Sequence, residues 1–279
     1  MGNSIKLNWL DLPSHLQVSI SNKLVHLNLY NLSQKKFNYI PIRVPLRASC
    51  RGSTEGWLVY EDGSQLHLVN PFLSPSKNKI HLPVLTAFDV EDSVESTVYK
   101  NIYFYKTVLS ANPTLYPNYM VMTIDAGRLK LAFYKSGDSA WTHSAWTDLV
   151  GNENVGPMTY IEDIIYSRDC FYVLDCHGAV WAYDVSSHSP RVVKIAPPIT
   201  EQWNIRKKYI VESSGDLLLV CRSTVQQWKP EDNKCSYKTV KIKVYKLDQV
   251  ACKWTETNKL CGQTLFIGDN TSLSLLASD

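Results

Sequence analysis

The 279-residue sequence holds no CxxC pair, no Gly-rich phosphate loop of the G-x-x-x-x-G-K or G-x-G-x-x-G kind, and no G-x-S-x-G elbow. Zinc knuckles, nucleotide cradles and the common hydrolase nucleophile therefore have no local signature here. No run of apolar residues approaches the ~18 needed to cross a bilayer, so no membrane partner is expected. An N-terminal secretory leader is not expected either, because Asp11, Pro13, His15 and Gln17 break up any apolar run there. Charge of one sign is also scarce. Net charge is only +3, whereas nucleic-acid binding needs clustered Lys and Arg. The densest basic stretch, Arg206-Lys207-Lys208, runs straight into Tyr209-Ile210-Val211 and reads as a solvated strand end. The seven Cys are an odd number and scattered. They read as reduced thiols of a cytoplasmic or nuclear protein, in which the sequons at Asn31 and Asn270 carry no glycan.

What the sequence does have is aromatic and β-branched residues. Sixteen Tyr, eight Trp and seven Phe, among many Val and Ile, favour strands. One helix is expected, over roughly 13–25, where Pro13 suits a first helical turn and Leu16, Ile20 and Leu24 recur every four positions. After His26 the apolar period becomes two. Strand pairs at 26–30 and 37–42, 57–60 and 66–70, 118–124 and 129–134, 170–174 and 179–183, and 209–212 and 217–221 flank polar turns. Glycines 63, 127, 178 and 215 mark four of those turns. Their spacing averages roughly the 40–50 residues of a propeller blade. The expected fold is all-β, a propeller-like array of antiparallel blades preceded by one short N-terminal helix; a β-sandwich is the other architecture such strands allow. Residues 71–79 and 223–238, the latter containing Pro230, read as surface loops.

Two groups of residues carry a family resemblance. Trp9-Leu-Asp-Leu12-Pro13, followed by Leu16, Ile20 and Leu24, resembles the first helix of an F-box. The second half of that domain is missing, since strands follow directly. Cys50-Arg-Gly-Ser-x-x-Gly56-Trp57-Leu-Val, Leu66-His-Leu-Val-Asn70-Pro71-Phe72, Lys243-Val-Tyr-Lys-Leu-Asp248 and Leu265-Phe-Ile-Gly268-Asp269-Asn270 resemble the propeller of the plant KIB-type F-box proteins. The resemblance implies a partial F-box helix over 1–25 and a KIB-type propeller over 26–279. The family runs on past Gly268-Asp269-Asn270 into a last strand pair, so the final blade is expected to lack strands. It further implies a non-enzymatic substrate receptor of an SCF-type ubiquitin ligase. Trp9, Leu12, Pro13, Leu16, Ile20 and Leu24 would then dock on the Skp-type adaptor, and the propeller would hold an unknown target protein. A propeller scaffold or competitor that binds the same targets outside a ligase is the alternative.

Catalytic and metal-binding candidates resolve into turn chemistry. Gly137-Asp-Ser139, Ser33-x-x-Lys36 and Ser74-x-x-Lys77 lie in polar turns. Cys170, Cys176 and His177 lack knuckle spacing, and Asp89 to Glu95 reads as a solvated acidic loop. No catalytic residue, metal or cofactor is expected. Of the tryptophans, Trp141, Trp146, Trp203 and Trp228 divide between blade packing and partner binding. Trp203 and Trp228, beside Glu201, Gln202, Gln226 and Gln227, are expected to be exposed and to bind a partner.

Overall fold

The computed structural model describes residues 18–19, 26–31, 36–41, 48–85, 104–151, 159–184, 191–200, 205–229 and 234–277. They divide into two compact units, one of residues 1–145 with 277–279 and one of Trp146–Leu276.

The first unit holds a three-stranded sheet and two four-stranded ones. The three-stranded sheet runs β1 (Val18–Ser19), β2 (His26–Asn31), β3 (Lys36–Pro41). A four-stranded meander follows: β4 (Ser49–Thr54), β5 (Trp57–Asp62), β6 (Gln65–Val69) and β7 (Lys79–Val84). The next comprises β8 (Phe104–Leu109), β9 (Met120–Asp125), β10 (Lys130–Lys135) and β11 (Thr142–Ala145). Trp57, Val59, Leu66, Leu68 and Leu82 of one meander close a core with Phe104, Leu109, Val121 and Ala132 of the other. At about 1.5–3 kcal/mol for each large aliphatic or aromatic side chain, this burial is what holds successive meanders together.

The second unit repeats the plan. After the one-turn helix α1 (Trp146–Val150) come β12 (Ile161–Ser167), β13 (Cys170–Asp175), β14 (Val180–Asp184) and β15 (Arg191–Ala196). Then come β16 (Ile205–Ser213), β17 (Asp216–Lys229), β18 (Lys234–Asp248) and β19 (Lys253–Thr257), and a final hairpin of β20 (Gln263–Phe266) and β21 (Leu273–Leu276). Every pairing is antiparallel between chain neighbours, which makes each four-stranded sheet a blade. Leu174, Val180, Ile210, Leu219 and Tyr245 share the core between the two blades of this unit.

Polar clamps accompany the apolar contacts. Glu61, almost fully buried, receives a two-pronged bond from Arg51 and a backbone N–H from Phe104 of the next blade. Trp141 donates its indole N–H to the Pro83 carbonyl at 2.8 Å, and Trp254 donates to the Pro197 carbonyl at 3.0 Å. In both units, a tryptophan of one blade thus caps a carbonyl of the blade before it.

The all-β reading holds, with three corrections. Within the stretch read as a helix, Val18 and Ser19 pair with Leu29 and Asn28 as strand β1; the rest of 13–25 lies outside the described residues. An amphipathic helix of that length is marginal without a partner face, whereas the edge of β2 offers ladder bonds to β-branched Val18. Residues 224–229 and 234–238 continue the β17–β18 ladder and do not form the expected surface loop. The expected turn after Asp125 is present, with Arg128 as its left-handed residue (φ 62). The Asp125 carboxylate accepts the N–H groups of Gly127, Leu129 and Lys130 and so fixes the loop by side-chain bonding. Lastly, Lys207 and Lys208 are not a solvated strand end, as detailed below. At Ser214-Gly215, by contrast, both residues have positive φ (50 and 86), the two-residue hairpin turn that the glycine signalled.

Candidate interaction surface on the long hairpin

The β17–β18 pair is much longer than the blade to which it belongs. Its ladder runs from Leu218↔Lys246 to Lys229↔Lys234, with one register shift between Ser223 and Thr224 that leaves Val240 as the extra residue. On one side β16 pairs only as far as Ile205↔Ser223, and on the other β19 pairs only from Val244↔Thr257 to Asp248↔Lys253. Among the described residues, Thr224 to Lys229 and Lys234 to Thr239 form a two-stranded ribbon, and the β18 edge away from β17 has no paired strand from Lys234 to Lys243.

Register assigns its faces. Arg222↔Ile242 and Gln226↔Tyr237 are directly opposed, so Ile242 and Tyr237 share a face with Arg222, Gln226 and, two residues on, Trp228. Trp228 is 59% exposed, Ile242 54%, Tyr237 49%, and the bulge residue Val240 56%. Isolated exposed apolar residues are ordinary, but four along one ribbon make a patch of the kind that marks a binding surface. The opposite face carries Lys238, Lys241 and Lys243, since these oppose Val225, Ser223 and Cys221. Residues 222–243 contain six Lys and Arg against two acids, a net +4 where the whole chain carries +3.

At the base of the ribbon the cations are held in place. Lys207 opposes Arg222 across the strands, and both lie over the Tyr209 ring, at 5.8 and 5.9 Å from its centre. The Lys207 ammonium pairs with Glu162 at 3.6 Å and with Asp269 at 3.8 Å. Burial, which disfavours the charged amine, pushes its pKa down to about 8, opposed by Asp269 and assisted by Arg222. Lys208 turns to the other face and donates to the Cys176 carbonyl at 2.7 Å. Lys207 and Lys208 are therefore partly buried and bonded, which polarity alone did not indicate.

The other expected sites fall as follows. Trp9, Leu12, Pro13, Leu16, Ile20, Leu24 and Trp203 lie outside the described residues, as do Ser33 and the acidic stretch 89–95. Trp141 and Trp146 are buried, the latter meeting Trp181 edge-on at 5.9 Å. Ser139 sits in an exposed turn in which Asp138 N–H bonds the Lys135 carbonyl, and Ser74 in a turn closed by Lys77. The Cys170 thiol points at the Phe171 and Tyr183 carbonyls, Cys176 sulfur accepts from Tyr160 N–H, and His177 bonds Thr159. Burial raises the pKa of both thiols. Among the described residues no group of three His, Cys, Asp or Glu could hold a metal ion. An open depression of about 550 Å³ is lined by Arg168, Asp216, Lys246, Asp248 and Glu256. Its charges are already committed: Arg168 donates to the Gly215 carbonyl, and Lys246 and Asp216 pair at 2.6 Å.

Comparison with known proteins agrees with the blade architecture. The chain is similar to the F-box protein At2g26160 of Arabidopsis thaliana, 26% identical over 255 residues, covering 85% of this chain and 72% of that one. It is also similar to the F-box/kelch-repeat protein At1g57790 of the same plant, 25% identical over 226 residues, covering 78% and 53%. The chain thus spans between about half and three quarters of the length of these relatives. Among solved structures it resembles BBS1N from its complex with ARL6DN, with a TM-score of 0.46 and 13% identity, covering 94% of this chain and 71% of that one. Residues 29–279 match the KIB1-4 β-propeller family across every blade described above, and the chain belongs to that family.

Proposed function

We propose that this protein is a substrate receptor of an SCF-type ubiquitin ligase. In this reading the segment carrying Trp9, Leu12, Pro13, Leu16, Ile20 and Leu24 docks on a Skp-type adaptor, and the propeller holds the target. The F-box relatives support the ligase role, and the single structural observation that supports a target-binding role is the exposed Trp228 ribbon. The chain performs no bond chemistry itself. Its contribution is to convert ubiquitin transfer from a bimolecular encounter into a reaction within one complex, which raises the effective concentration of the target lysine.

A second reading drops the ligase and keeps the recognition. It is favoured by strand β1, which takes Val18 and Ser19 out of the adaptor-docking helix. In that case the protein competes with longer relatives for their targets. Affinity purification of tagged protein from plant cells decides between the two. The ligase reading expects adaptor and cullin to co-purify with the wild type and to be lost with Leu16→Asp, while target proteins are retained by both. Recovery of targets without adaptor from the wild type would establish the competitor.

A further inference from the structure

The edge of β18 that no described strand covers beyond Val244 has a definite chemistry. Across Lys234 to Lys243 the strand is ten residues long, about 30 Å at 3.3 Å per residue. Along that edge no strand pairs with it among the described residues, since β19 ends its pairing at Val244↔Thr257. Its side chains alternate. Tyr237 and Ile242 stand on the aromatic-aliphatic face with Trp228, while Lys238 and Lys241 stand on the other, both exposed.

The protein already shows how such an edge is covered one step further along. There β19 lies beside β18, and its Glu256, opposite Tyr245, reaches diagonally to Lys243 and bonds it at 2.8 Å. A lysine of this row is thus met by a carboxylate on the strand laid alongside. Beyond Thr257 the chain leaves β18, and the lysine row continues with Lys241 and Lys238. Lysines on an open edge also repel a second copy of the same edge, which counts against self-association and selects an oppositely charged occupant.

We propose that the β18 edge accepts an extended, acidic segment of a partner protein as an added strand, in line with β19. Its alternate residues are apolar, packing beside Tyr237, Ile242 and Trp228, and acidic, pairing with Lys238 and Lys241. Backbone hydrogen bonds to β18 supply affinity that is indifferent to sequence, and the alternation supplies selectivity. The proposal deepens the target-recognition reading above and rests on it for biological context, but it does not require the adaptor.

The test uses the full chain and fluorescently labelled, end-capped decapeptides, with binding read by anisotropy. A peptide alternating Glu and Val binds, and its affinity falls at least about tenfold between low and moderate salt. A peptide alternating Lys and Val does not bind. The Glu–Val peptide with every second amide N-methylated, on the edge that would face β18, loses binding. The doubly substituted Lys238→Glu, Lys241→Glu protein binds the Glu–Val peptide at least about tenfold more weakly and gains the Lys–Val peptide. The proposal is overturned by no binding of the Glu–Val peptide, by equal binding of the N-methylated peptide, or by indifference to the sign of the peptide charge. The peptide arms with wild-type protein decide the matter even if the double variant folds poorly. If the Glu–Val peptide fails while adaptor co-purifies, only this inference falls; if it binds while adaptor does not, only the ligase reading falls.

Discussion

Asp163 of β12 accepts the backbone N–H of Ile210 in the neighbouring blade at 3.0 Å, while its other oxygen holds the N–H of Ile164 at 2.9 Å. The carboxylate is buried, and Ile210 belongs to the core between the two blades. One side chain thus pins the innermost strand of one blade to that of the next. In the first unit Glu61, on the second strand of its blade, likewise accepts the backbone N–H of Phe104 in the next blade.

Removing the pin leaves two backbone donors without that acceptor in an apolar setting. Asp163→Ala is expected to lower unfolding stability by about 1–3 kcal/mol, and Asp163→Asn, which keeps one oxygen acceptor, by less. Urea midpoints of the two variants check the order; equal losses would show that the acceptor oxygens are not the cause.

Two tryptophans separate structure from recognition. Trp146 is 1% exposed and Trp228 is 59% exposed. Trp146→Ala should cost about 3–5 kcal/mol by opening a cavity, whereas Trp228→Ala should change stability by no more than about 0.5 kcal/mol. Trp228→Ala should nonetheless weaken capture of target proteins. Urea denaturation and affinity purification of the same variants read the two effects, and a strongly destabilised Trp228→Ala would remove the ribbon from consideration as an exposed surface.

His67 makes stability depend on pH. Its ring stacks on Tyr60 at 4.9 Å and meets His81 edge-on at 4.8 Å, and its Nδ1 is buried without a partner. Burial, with smaller contributions from His81 and Lys79 against an opposing pull from Asp62, pushes its pKa down to about 4. Above pH 6.5 the imidazole is neutral in folded and unfolded chains alike. Between 6.5 and about 4 the unfolded chain takes up the proton and the folded one does not, so stability falls with pH. Below about 4 both bind it and this loss stops. His67→Phe should flatten that part of the profile. Urea midpoints at pH 7.5 and 4.5 for both proteins measure it, and an unchanged slope would exonerate His67.

Much of this architecture was legible because burial and turn chemistry agree locally. Trp57 to Tyr60 and Leu66 to Val69 are strands buried on both faces, and Asp62-Gly63 turns between them. The parts that were not legible share a physical cause. Strand β15, Arg191–Ala196, is the outer strand of its blade and largely exposed, so it lacks a buried stripe. Residues 225–228 and 237–238 are exposed on both faces of the ribbon, and the polar composition of the stretch, with Pro230 in its sequence, imitates a loop. Lys207 and Lys208 face opposite sides of β16, and only their partners Glu162, Asp269 and the Cys176 carbonyl, distant in sequence, reveal that they are partly buried and bonded. Trp228 was identified from its glutamine neighbours; the lysine row beside it becomes visible only once the register is known.

Because each blade is a meander whose strands pair with their immediate successors, the contacts that define a blade close over short stretches of chain. Loop-closure entropy for such contacts is small, and the topology favours rapid formation. The ladder of a blade can therefore form early, while its core closes only when the next blade packs against it. The long β17–β18 ribbon departs from that economy. The exposed residues 225–228 add ladder without adding core, so they should be among the parts of their blade that open most readily to hydrogen exchange.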